Sequence, residues 1–154
     1  MSNLPFGFDK PEDSPGFLLW QTTIIWQRQI KKALEKYNIS HAQFVIMATL
    51  LWWSYHLYDT TQVLIGNLTK LDKMTVSKSL KKLVSFGYIS RIENKVDARA
   101  KSIALTEKGK DMTRVLVPIV ESIDSEFFGE ASKDEQNILI KILSNLVKEN
   151  NYEI

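Results

Sequence analysis

The stretch Met74-Thr75-Val76-Ser77-Lys78-Ser79-Leu80-Lys81-Lys82-Leu83, closed by Gly87 and followed by Asp97-Ala98-Arg99 and Leu105-Thr106-Glu107-Lys108-Gly109, decides how the rest of the chain is read. Val76, Leu80, Leu83 and Val84 recur at i, i+4, i+7 and i+8, which is one apolar stripe of a helix over 74–86. That stripe leaves Thr75, Ser77, Lys78, Lys81 and Lys82 facing outward. Gly87 suits the left-handed residue that ends such a helix. Residues 88–92 and 102–105 then alternate as two short strands around a charge-rich turn. Thr106 can cap the helix that follows, and Gly109 is small enough for close packing there.

Helix, glycine stop, charged hairpin and helix is the order of a winged helix. Outward from it, residues 1–16 hold three of the four prolines and read as an irregular arm. A helix is expected from about Phe17 to Tyr37. Ser40-His41-Ala42-Gln43 has capping-box spacing, and the apolar helix it opens should be nearly buried on all sides. Thr60 or Thr61 can cap a short helix with Ile65 and Leu68 inward, where Gly66 would let two helices cross closely. After Thr106 a long helix runs to about Phe128, with Pro118 expected to kink it. Ser132-Lys133-Asp134-Glu135 is a second capping box and starts a last helix. The fold class is therefore mainly α with a small β-hairpin: a winged helix-turn-helix flanked by N- and C-terminal helices. The arm is 1–16 and a single domain covers 17–154, with the winged helix at about 40–109.

The net charge of +2 says little about partners, but the charge distribution says more. Residues 70–101 carry nine Lys or Arg against three acids, whereas residues 115–154 carry three bases against eight acids. A positive middle segment implies a polyanion. Short hydroxyl side chains can reach base edges in a major groove while lysines neutralise phosphates, so Thr75, Ser77, Lys78, Lys81, Lys82 and Lys101 are candidate contacts to double-stranded DNA. An acidic protein docking on the same basic face is the alternative, which would make the chain a winged-helix interaction module without sequence-specific DNA binding.

The spacing Asp97-x-Arg99-x5-Leu105-Thr106-x-x-Gly109 resembles the MarR family of bacterial transcription regulators, and residues 60–109 carry the specific part of that likeness. The resemblance implies that Asp97 braces the hairpin and that Arg99 at its tip enters a minor groove. It further implies a homodimer built from helices at about 17–38 and 107–150, where Leu116, Ile119, Ile142 and Leu146 would fit. The implied function is a repressor on a palindromic operator, released by a small and often aromatic effector. Four tryptophans fall in the first two helices, and Trp20, Trp52, Trp53 and Tyr55 are the candidate walls of that effector's site.

Without cysteine there are no disulfides, thiolate metal sites or thiol sensors. His41 and His56 are not at metal-ligand spacing, and His41 is expected at the surface. Phosphate loops, nucleophile elbows and cofactor fingerprints are missing, so neither a cofactor nor an enzymatic activity is expected. No stretch approaches the roughly 18 to 20 apolar residues of a membrane span, and the first residues do not read as a signal peptide, so no membrane partner and a cytoplasmic location are expected.

Overall fold

The computed structural model describes residues 4–55, 59–93 and 101–151. Among them, α1 (Pro15–Leu34), α2 (His41–Ser54), α3 (Gln62–Thr69) and α4 (Lys73–Ser85) are followed by β1 (Ile89–Glu93) and β2 (Lys101–Leu105). α5 (Glu107–Phe128) and α6 (Lys133–Glu149) complete the order. β1 and β2 are antiparallel, with Ile89 opposite Leu105 and Glu93 opposite Lys101. This is the winged helix-turn-helix between flanking helices.

Local chemistry sets the element ends. α1 starts at Pro15, two residues earlier than its apolar pattern suggests. Ser14 accepts a hydrogen bond from the Phe17 N–H at 3.2 Å, and the proline occupies a first-turn site that has no amide partner to lose. Asn38 stops the following turn in a left-handed conformation, φ 56°. Both capping boxes form: Ser40 with Gln43, and Ser132 with Glu135. Thr61 rather than Thr60 caps α3, accepting from the Leu64 N–H at 3.2 Å. α5 runs through Pro118 without a break.

The core is one cluster centred on α2, against which α1, α3, α4, α5 and β2 pack. Ile30 and Leu34 of α1, Ile46 and Met47 of α2, Ile65 of α3 and Leu80 of α4 are among its fully buried members. α2 is less enclosed than its composition suggests. Phe44, Ile46, Met47 and Leu50 are buried, but the helix leaves the core in its last turn and Trp52 is exposed. Leu68 is exposed too: three residues after Ile65 it lies about 60° off the inward direction, on the flank of a short helix. Leu116 is wholly buried among its own chain's core residues, which removes it from any surface between copies.

Three features were not anticipated from sequence. Residues Thr60 and Thr61 add a short third edge to the hairpin, because the Ile103 N–H donates to the Thr60 carbonyl at 2.7 Å and Thr61 bridges Ser102. The Trp26 indole N–H donates to Asp124 at 2.7 Å and ties α1 to α5. His41, expected at the surface, is half-buried and packs edge-on against Trp26 at 5.1 Å between ring centres.

Burial pushes the His41 imidazole below its ordinary pKa of 6.5, and the Asp124 carboxylate pulls it part of the way back. A depressed folded-state pKa means the unfolded chain takes up the proton first. The stabilisation is therefore full above about pH 6.5 and is lost as pH falls through the folded-state value. Thermal melts should show a decline in stability from pH 7.5 to 5.5 that His41→Gln flattens. An equal decline in both proteins would place the titrating group elsewhere.

Candidate nucleic-acid interface

α4 is presented by a turn held by side-chain hydrogen bonds at Thr69 and Asp72. Thr69 donates to the Ile65 carbonyl at 2.7 Å and accepts from the Leu71 N–H at 3.3 Å. Lys70 takes the left-handed conformation, φ 61°, between the two helices. Asp72 caps α4 with both oxygens: one accepts the Thr75 N–H at 2.8 Å, the other the Thr75 hydroxyl at 2.7 Å. The Thr75 amide, followed by its hydroxyl, holds the Asp72 carboxyl below the usual range, so the cap stays ionised at neutral pH. An acidic cap also suits the positive end of the helix.

The far end of α4 is latched to α5. Gly87 is left-handed at φ 76°, and the Gly87 and Tyr88 amides donate to the Val84 and Leu83 carbonyls at 2.9 and 3.0 Å. The Phe86 and Gly87 carbonyls are taken by the start of the helix that follows. Lys108 Nζ donates to Phe86 at 2.8 Å, and the Thr106 hydroxyl donates to Gly87 at 2.6 Å while accepting the Gly109 N–H at 3.0 Å. Leu-Thr-x-x-Gly is thus a splice between the winged unit and α5.

Between these two anchors, Val76, Ser79, Leu80 and Leu83 form the buried face of α4. Ser79 is buried on one flank of that face, whereas Val84, expected inward on the other, is 43% exposed. At about 100° per residue the direction opposite that face passes through Met74, Lys78, Lys81 and Ser85. Lys78 and Lys81 are exposed on it. Thr75 and Ser77 lie on its flanks and are half-buried, so the outward reading of these two needs correction. Lys82 is exposed on one flank with its ammonium 5.7 Å from the centre of the Phe86 ring. Lys101 is exposed at the start of β2 and Arg91 is exposed on β1. Arg91, Lys73 and Met74 were not picked out from sequence. The exposure of Met74 follows from burial of the opposite face of α4, whereas hydropathy alone places it in a core. Asp97, Arg99 and His56 lie outside the described residues.

The aromatic candidates do not form one wall. Trp20 is exposed on the first half of α1. Trp52 and Trp53 pack edge-to-face at 5.3 Å between ring centres, and the Tyr55 hydroxyl accepts from Arg114 of α5 at 3.3 Å. The same guanidinium contacts Asp111 at 3.3 Å. A separate cleft of about 440 Å³ opens between α1 and the end of α4, with Lys31, Glu35, His41, Gln43, Lys82 and Phe86 among its lining. None of the four aromatic candidates lines it. Among the described residues no cluster of His, Asp or Glu could hold a metal ion, and no helix is long and apolar enough to cross a membrane.

Comparison with known proteins agrees with this architecture. Residues 35–122 match the model of the ArnR1-like winged-helix domain. The chain is 38% identical to the HTH-type transcriptional regulator YdcH of Bacillus subtilis over 128 residues, which is 83% of this chain and 87% of that protein. Among solved structures it superposes on BpsR of Bordetella bronchiseptica, whose DNA binding is regulated by 6-hydroxynicotinic acid. The TM-score is 0.80 at 20% identity, covering 91% of this chain and 97% of BpsR. The DNA complex of MepR from S. aureus gives a TM-score of 0.78 at 20% identity, covering 88% and 98%. Carrying the helix-turn-helix, the hairpin and the Thr106–Gly109 splice in this order, the chain is a transcriptional regulator that belongs to the MarR family of winged helix-turn-helix proteins.

Proposed function

We propose that this chain represses transcription as a homodimer that places one α4 from each copy in successive major grooves of a palindromic operator. The observation that carries this reading is the outward line of α4, where Lys78 and Lys81 stand exposed on a helix fixed at both ends by the Asp72 cap and the Thr106–Lys108 splice. Lys82 and Lys101 are exposed as further cations in this reading, and Ser77 supplies a hydroxyl at the flank of α4, where Thr75 keeps only an acceptor oxygen because its proton is held by Asp72. Arg99, braced by Asp97, is the minor-groove probe in this reading.

The dimer rests on apolar surface that one copy leaves bare. α6 has no buried residue, yet Ile138, Ile142, Leu146 and Val147 are exposed on it, as are Phe17, Leu18 and Leu19 on α1. Apolar surface on that scale is characteristic of an interface between subunits. The effector we assign is a hydroxylated aromatic acid at Trp52, Trp53 and Tyr55, with Arg114 as the cation for its carboxylate. Such a ligand releases DNA only if it binds the DNA-incompetent dimer more tightly.

Selection of duplexes from a random pool by the whole protein tests the operator reading. Enrichment of a palindrome with half-sites about 10 bp apart and A·T-rich flanks, where a narrow minor groove attracts arginine, is the expected outcome. Enrichment without two-fold symmetry would reject the paired docking of α4.

A further inference from the structure

Met74 is the second residue of α4, one position after Lys73 and two after the Asp72 cap. Its side chain is 67% exposed, on the line that also carries Lys78 and Lys81. An apolar side chain in that position gains nothing from its own fold. Val76 and Leu80 on the same helix are buried, so the exposure of Met74 reflects its direction and not a shortage of core. The surface around it is cationic, with Lys73 and Lys78 both exposed. A partner for this patch must therefore offer anionic groups and an apolar group within one helical turn of each other.

A major groove has that composition. Its walls are phosphates, and its only apolar feature is the C5 methyl of thymine. The first residues of a recognition helix are the ones that reach base edges. Thr75, the neighbouring candidate, has its hydroxyl proton committed to Asp72 and is half-buried. Met, with three rotatable bonds and a polarisable sulfur, can follow a methyl group whose position varies slightly between sites. We infer that Met74 is a specificity-determining residue that reads a thymine methyl in each operator half-site. The inference rests on the operator reading above.

The test uses the preferred duplex selected by the full-length protein, with each thymine of a half-site replaced in turn by uracil. This exchange removes one methyl group and leaves every hydrogen-bonding edge unchanged. One thymine per half-site should be sensitive, its loss weakening wild-type binding by about fourfold per half-site, the factor expected from burying one methyl-sized group. Met74→Ala should bind the thymine and uracil duplexes equally, whereas Met74→Leu should keep part of the preference. Both substitutions are at an exposed position, so circular dichroism should show the wild-type fold in each. Wild-type binding indifferent to every exchange, or an undiminished thymine preference in Met74→Ala, would overturn the inference while leaving the operator reading intact. A selected sequence without thymine in either half-site would overturn it as well. Failure to enrich any sequence would remove the operator reading and Met74's role together.

Discussion

Gly109→Ala is expected to destabilise the protein by about 3 kcal/mol or more, lowering its melting temperature by roughly 6 to 12 °C. A Cβ at this position would stand 1.9 Å from the Tyr88 carbonyl oxygen, 2.8 Å from its carbon and 3.1 Å from its Cα. All three are backbone atoms, so no rotamer change can relieve the overlap. Nor can the Tyr88 peptide retreat easily. Its N–H donates to Leu83 and its carbonyl accepts from Thr106, both at 3.0 Å. Moving it would break the end of α4 and the start of α5 together. Gly66→Ala is the matched control: a methyl there would meet the Leu71 carbonyl at 3.8 Å and Val76 at 4.0 Å, ordinary contacts. Within a helix that exchange should stabilise by up to about 1 kcal/mol. Calorimetry on both variants checks the pair, and melting of Gly109→Ala within a degree of wild type would contradict the splice geometry.

These two glycines show where sequence reading succeeds and where it stops. Gly66 invites the idea of a close helix crossing, but the neighbouring backbone leaves room for a methyl. The indispensable small residue is Gly109, legible through the Leu105-Thr106-x-x-Gly109 spacing. Caps at Ser40, Thr61, Thr106 and Ser132 were readable because each joins a side chain to an amide three residues on, within one helical turn. Contacts between distant segments left no such trace. Trp26 and Asp124 are 98 positions apart, and nothing local marks either as the other's partner. The Thr60–Thr61 edge is too short for an alternating pattern. Hydropathy also misassigned the rim of α4, where the apolar Val84 points out and the polar Ser79 points in. The resemblance places Leu116 at the dimer surface, but one amphipathic stripe cannot say which of its members face the chain's own core, and Leu116 does.

Replacing both Lys78 and Lys81 with alanine should weaken operator binding on the order of a hundred- to a thousandfold at physiological salt, the largest functional effect of any pair of exposed substitutions here. Each copy would lose two phosphate contacts, and a dimer about four. Every phosphate contact contributes roughly 0.9 to the slope of log affinity against log salt, through release of condensed counterions. Both lysines are exposed and away from the buried face, so stability should change by no more than about 0.5 kcal/mol per site. The docking of α4 on DNA is tested most directly by that slope, measured for the wild type and the double variant on the selected duplex. A steep wild-type slope that becomes shallower by roughly 3 to 4 in the variant is the expected result. Equal slopes in the two proteins, or wild-type binding insensitive to salt, would contradict the docking and assign the basic face to another partner.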